Sequence, residues 1–345
     1  MIWLTWRQFR WQAITAAAAL CAVAILLAAT GPHLAALSST AGLNSCATSC
    51  GKLASNFLDS LRGFDTVLFE AAIAVMYLVP ALIGIFWGAP LIAREFEAGT
   101  HRLAWNQSVG HTRWTAVKLG LTGAAAVATA GLLSLMIGWW ASPIDHAMAL
   151  GQSGVGNSNH FPRLSPLVFA ARGVAPLGYA AFAFALGVTA GVLIRKTLPA
   201  MAVTLAVFAA VQFLMPTLVR PHLIPPVQVT APFNANNNNE LMIGGPGGAM
   251  TVVGNFSRPG AWILSNNTIT RSGKVFTGPA NAACTGNGSP QDCINWLNSL
   301  RLRQQVSYQP ASRFWPLQGI ETGIYLILAA GLTLLCLWQV RRRRA

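Results

Sequence analysis

Six stretches of the chain are almost wholly apolar, and polar residues are pushed into the segments between them. They lie near 13–37, 66–91, 116–141, 167–194, 197–218 and 317–340. A helix needs about 20 apolar residues to cross roughly 30 Å of hydrocarbon, and every run meets that length. The runs mix Ala, Leu, Val and Gly, as helices that pack on one another do. None alternates with the period of two of a membrane β-barrel. The pattern predicts an all-α polytopic membrane protein with about six transmembrane helices.

Before the first run, residues 1–12 (MIWLTWRQFRWQ) place Ile2, Trp6, Phe9 and Ala13 on one narrow helical face, with Arg7 and Arg10 on its neighbour. Tryptophan and arginine favour the headgroup zone. The expected element is a short interfacial elbow helix that turns into the first span, the alternative being an ordinary snorkelling N-terminus. A cleaved leader is disfavoured, because the run is long and Trp3, Trp6, Phe9 and Trp11 crowd it. Residues 13–220 then hold helices 1 to 5. From 221 to 315 the chain turns to Asn, Gly, Pro and Ser, including Asn236–Asn239 and GGPGG at 244–248. Strand-like pieces, MTVVG at 250–254 and AWIL at 261–264, alternate with turn signals, and CINWLNSLRLRQQ at 293–305 reads as a helix. This predicts a small loop-rich extracytoplasmic domain, followed by helix 6 and a basic tail over 316–345.

Composition agrees with the pattern: the 345 residues are 54% hydrophobic and only 9% charged. Mean hydropathy is +0.50, high for a soluble domain. The net charge of +14 is distributed by topology. Arg341–Arg344, Arg7 and Arg10, Arg94, Arg102, Arg113 and Lys118, and Arg195 and Lys196 all border runs on one side, which the positive-inside rule makes cytoplasmic, together with both termini. No continuous basic face exists for nucleic acid. Cys46 and Cys50 fall in the first outer loop, and Cys284 and Cys293 in the large one. Each pair closes a small ring suited to a disulfide in an oxidising compartment. Their three and eight intervening residues do not match the usual four-thiolate zinc spacing. Asn255, Asn266 and Asn287 stand in N-x-S/T triplets, but the preference for arginine over lysine points to a bacterial gene and unmodified asparagines.

Charge is otherwise scarce, yet Arg94, Glu95, Glu97, Arg102, Arg113 and Lys118 crowd into 91–118. Gly99 is a natural helix stop and Thr100 can cap a second short helix through Trp105. A helix, a sharp turn and a second helix make a knob that a soluble partner could receive, with Phe96, Leu103 and Trp105 as apolar contacts. A solvated hairpin whose charges only set topology explains the same spacing. Catalytic signals are weak: His33, His101, His111, His146, His160 and His222 are dispersed, and no HExxH or nucleotide-binding P-loop occurs. Pro80, Pro90, Pro176 and Pro199 stand in or beside the runs, where helices can bend.

The opening WLTWRQFRWQ, the stretch APLIAREFEAGTHRLAWNQSVGHTRWTAVKLG at 89–120, RGVAPLGYAAFAFALGVTAG at 172–191 and YQPASRFWPLQGIE at 308–321 resemble permease subunits of bacterial ABC exporters of the actinobacterial six-span type. The resemblance spans nearly the whole chain except the outer domain. It implies a permease without its own ATPase in the bacterial cell membrane, a homodimer, and two copies of an ABC ATP-binding subunit that hold the ATP and Mg. The coupling segment would be 92–112, with Arg94, Glu95, Phe96, Glu97, Thr100, Arg102, Leu103 and Trp105 as the docking residues. Export of a hydrophobic compound is the function implied.

Spans 2 and 5 line the pathway in the exporters this chain resembles. Met76, Tyr77 and Phe86 on span 2 and Phe208, Gln212, Phe213 and Met215 on span 5 would give an aromatic and thioether lining. Helix packing alone also accounts for these residues. Ionised groups within apolar runs are costly, so Glu70 and Glu321 are candidates for an outer gate, bridged to Arg172 or Arg313. Carboxylates within a turn of water are the plainer explanation. A membrane sensor or immunity protein that binds an extracellular ligand through 221–315 is the competing reading.

Overall fold

The computed structural model describes residues 2–46, 50–61, 63–97, 111–150, 162–233, 242–243, 249–250, 252–254, 256, 258–279, 284 and 289–342. Six helices among them are long and apolar enough to cross a membrane: Phe9–Thr40, Phe64–Glu97, Trp114–Trp140, Ala175–Ile194, Thr197–Leu223 and Ala311–Arg342, here spans 1 to 6. Span 1 belongs to one helix, Ile2–Thr40. No glycine or proline interrupts residues 2–30, so the backbone ladder continues and the turn expected after residue 12 does not form.

Span 4 is 72% buried over its most apolar window, against 6% for span 1 and 22% for spans 5 and 6, which puts it at the centre of the bundle. It packs on spans 2, 3, 5 and 6. Its start differs from expectation. Pro166–Phe169 is a separate short helix, and Gly173 takes a left-handed φ of 67°, so span 4 begins at Ala175. Gln318 of span 6 caps it: its Oε1 accepts from the amides of Val174 and Ala175 at 3.1 and 2.7 Å. These are donors that a helix start leaves without intrahelical partners. At the other end Arg195 closes the helix with a left-handed φ of 60°, and a two-residue link, Arg195 and Lys196, leads into span 5.

Span 2 is not a uniform helix. Phe64–Leu82 gives way to a π-turn at Ile83–Gly88 and then to Pro90–Glu97. Span 5 has a second π-turn at Met215–Val219. Such turns loosen the local ladder and concentrate at functional sites. Because the spans alternate in direction, one end of the bundle carries residues 94–97, 195–196 and 341–342, the basic end. The opposite end carries helix Ser142–Leu150 and the domain between spans 5 and 6.

That domain is built on a three-stranded antiparallel sheet, ordered Val227–Pro232, Arg303–Gln309, Trp262–Ile269. The expected helix over 293–305 is instead Pro290–Ser299, with a Ser289–Asp292 capping box. Arg301 turns the chain with a φ of 48°, and residues 303–309 form the central strand, whose two ladders outweigh their helical pattern. Disulfides join Cys46 to Cys50 and Cys284 to Cys293. The asparagine run 236–239, GGPGG at 244–248, Asn255, Asn287, Arg343 and Arg344 lie outside the described residues.

Candidate functional site

At the basic end, the last helical turn of span 2 is tied to two other spans through its two glutamates. Glu95 pairs with Lys118 of span 3 at 2.6 Å, both side chains largely buried. Lys118 also lies 5.0 Å from the Trp114 ring. Glu97 is exposed as a residue, but its Oε1 accepts from the Thr197 amide at 2.9 Å and its Oε2 from the Thr197 hydroxyl at 2.5 Å. It thus supplies an anionic cap at the N-terminus of span 5, where the helix dipole favours negative charge. Phe96 lies partly buried under the Arg195 guanidinium, 5.9 Å away. From the other side, span 1 presses Phe9 edge-on against Trp87 at 5.0 Å. Gln12 donates to the Phe86 carbonyl inside the π-turn at 3.2 Å. A cavity of about 200 Å³ opens between Phe9, Gln12, Arg94, Glu95 and Lys118.

Toward the domain end, Glu321 of span 6 is 0% exposed and meets Arg220 of span 5, 1% exposed, in a two-pronged ion pair at 2.7 and 2.9 Å. The Tyr179 hydroxyl of span 4 donates to the same carboxylate at 2.5 Å. Arg220 also donates to the Pro166 carbonyl and stacks 4.1 Å from the Phe169 ring. Tyr77 of span 2 donates to the Pro166 and Leu167 carbonyls. This network therefore joins spans 2, 4, 5 and 6. Replacing a buried ion pair by apolar residues of similar volume is often neutral, whereas removing one partner alone is costly.

A second charged group lies beside it. Arg172, 1% exposed, donates to Asp145 at 3.2 Å, and Arg163 stands 3.6 Å from the same carboxylate. Burial raises the Asp145 carboxyl above the usual range, against the pull of Arg172 and then Arg163. Burial likewise lowers Arg172, against the pull of Asp145.

Residues 17–220, which hold most of spans 1 to 5, match the model of a known family, ABC-2 membrane transporter related. The chain belongs to that family. No curated protein and no solved structure was found to match it. The protein is a multi-pass permease of the ABC-transporter type, and the family implies an ABC ATPase partner. The matched region ends at Arg220, so the ion-pair partner Glu321, span 6 and the sheet domain lie beyond it.

The permease places the expected site residues as follows. Of the coupling set, Arg94 is exposed and Glu95, Phe96 and Glu97 are anchored as above, while Thr100, Arg102, Leu103 and Trp105 lie outside the described residues. The expected gate trio occupies three separate environments. Glu70 is exposed on span 2, Arg172 faces Asp145, and Glu321 pairs with Arg220. The bridge from Glu321 to Arg172 or Arg313 does not form, because Arg313 is held by the Pro225 carbonyl and Gln309. The pathway set is also dispersed. Met76, Phe208 and Met215 are buried in packing clusters, Phe86 and Phe213 are 53% and 70% exposed, and Gln212 accepts from Tyr325 at 3.0 Å. Arg220, Tyr179, Gln318 and Thr197 were not anticipated. A cation at the end of an apolar run facing Glu321 in another was the available signal.

Proposed function

We propose that this permease is the membrane subunit of an ATP-driven exporter in a bacterial cell membrane, with both termini cytoplasmic. It works as a homodimer on which two ATP-binding subunits dock, and those subunits hold the ATP and Mg. The observation that carries this reading is the anchoring of the first residues of the coupling segment, the last helical turn of span 2. Glu95 ties it to span 3 and Glu97 to span 5, so a push delivered near Arg94–Glu97 reaches both helices at once. Span 2 can yield at its π-turn, where Gly84 and Gly88 replace bulky side chains. The Arg220–Glu321 network at the far end then serves as the outer latch, which opens when spans 5 and 6 part. A hydrophobic compound is the cargo, in keeping with apolar faces on spans 2 and 5.

The test is co-purification of the full chain with the ATP-binding protein encoded beside it, followed by ATP hydrolysis and efflux in lipid vesicles. A stable complex with vesicle efflux that stops without ATP is the expected result. Absence of any bound ATPase would remove the motor and leave ligand sensing by the sheet domain as the function to examine.

A further inference from the structure

A cavity of about 430 Å³ lies at the domain end, between the close of span 3, helix Ser142–Leu150, the segment before span 4 and the start of span 6. The functional reading above leaves it unused. Its charged and polar lining is Ser134, Ser142, Asp145, His146, Arg163 and Arg172. Arg172 gives its Nε to Asp145 at 3.2 Å and its Nη1 to the Ala171 carbonyl at 3.3 Å. Its Nη2 is buried and has no hydrogen-bond partner among the described residues; Arg163 Nε makes no hydrogen bond among them either, though it is ion-paired with Asp145 at 3.6 Å. Buried donors in folded proteins nearly always find an acceptor, and the described residues supply none for Arg172 Nη2. Two guanidinium groups face one carboxylate, which leaves a surplus of positive charge, and the planar guanidinium fork suits phosphate oxygens.

The remaining lining is of the opposite character. Leu135, Trp139 and Trp315 are 72%, 60% and 60% exposed on the outer faces of spans 3 and 6. Tryptophan favours the depth at which headgroup meets acyl chain. An acceptor for the arginines would thus sit on a basic floor behind an apolar, bilayer-facing rim. That arrangement selects an amphiphile with an anionic head over a free ion.

We propose that this cavity binds the phosphate headgroup of an anionic membrane lipid, held by Arg172 and Arg163 and flanked by Trp139 and Trp315. The site depends on the chain's lying in a membrane and not on the direction or cargo of transport.

The experiment is native mass spectrometry of the detergent-purified full-length permease. It is offered phosphatidylglycerol and phosphatidylcholine with identical acyl chains, and inorganic phosphate as the competitor. One phosphatidylglycerol per chain should be retained in preference to phosphatidylcholine. Arg163→Gln should weaken retention about ten-fold, the size expected for one charge-assisted hydrogen bond. Because Arg163 also pairs with Asp145 at 3.6 Å and stacks 4.3 Å from the Phe314 ring, the variant's thermal midpoint is measured beside the parent's and retention is compared where both are folded. Trp315→Ala should weaken phosphatidylglycerol but leave competition by inorganic phosphate unchanged. Equal retention of the two lipids, or an unaltered Arg163→Gln, would overturn the proposal. Displacement by inorganic phosphate at concentrations below those of the lipid would reassign the cavity to a free anion and refute the lipid assignment.

Discussion

The backbone carbonyl of Gly84, inside the π-turn of span 2, occupies the space that a side chain on Gly187 of span 4 would need. Gly88 and Gly191 repeat the contact one turn along, against the carbonyls of Phe184 and Ala89. Between membrane helices no water is squeezed out, so close backbone approach and the dispersion it gives must hold the crossing. The π-turn of span 2 therefore rests on the most enclosed helix at backbone distance, beside the side-chain packing of Ile83 and Ile92 against Phe184, Val188 and Val192.

Gly187→Ala should accordingly be among the most damaging small substitutions in the protein. Its added carbon meets backbone that cannot rotate away, and overpacking of this kind costs about 1–3 kcal/mol. Gly120, with nothing within 4 Å of an added carbon, should accept alanine without loss. Thermal unfolding of the two variants in the same detergent checks the contrast, and equal midpoints would contradict the crossing.

The Arg220–Glu321 pair should be intolerant of single truncation and tolerant of joint replacement. Glu321→Leu leaves a buried guanidinium unpaired, and Arg220→Met leaves a buried carboxylate, each costing about 3–5 kcal/mol. The double variant removes both charges and should recover most of that stability. Efflux separates the latch from mere packing: if the pair gates, the double variant stays folded yet leaks cargo or loses its ATP dependence. A double variant as unstable as either single would show that the surrounding network, not the pair, is decisive.

Much of the architecture was legible because a bilayer leaves the chain few options. All six spans are recognisable from uninterrupted apolar length, and the disulfides from cysteines close in sequence. What escaped was set by partners far along the chain. Span 4 starts at Ala175 because Gln318, more than a hundred residues away, caps it. The segment after Leu300 has a helical pattern but becomes a strand because ladders flank it on both sides. Glu321 stood out as a buried charge, yet only packing could reveal Arg220 as its partner, 101 residues distant.

The Cys284–Cys293 bridge fastens helix Pro290–Ser299, whose Leu297 packs with Phe233 and Val252. Closing a ring of this size is worth about 2–3 kcal/mol in the chain-entropy account. The joint change Cys284→Ser and Cys293→Ser should expose the domain to limited proteolysis between spans 5 and 6. Thermal unfolding of the spans should be nearly unchanged, since among the described residues the helix packs in a cluster built from the domain itself. A matching loss of stability in the spans would show instead that the domain braces the membrane bundle.

Glu97 tests transmission most directly, because its carboxylate touches span 5 at one residue only. Thr197→Val deletes the hydroxyl bond and keeps the amide bond, whereas Glu97→Ala deletes both. If the last turn of span 2 drives span 5 through this contact, both variants should still assemble with the ATPase and hydrolyse ATP, while efflux per ATP falls by about five-fold or more. Glu97→Ala should be the worse of the two. The double variant should be no worse than Glu97→Ala, because both changes act on one contact and non-additivity is the mark of a shared interaction. Additive losses, or failure of the ATPase to bind, would mean that Glu97 acts on the soluble partner and not on Thr197. A control at Arg94→Ala, which alters an exposed cation on the same turn and leaves the Thr197 contact whole, separates those outcomes: it should weaken assembly if the partner reads this turn, and leave the efflux per ATP of assembled complexes intact.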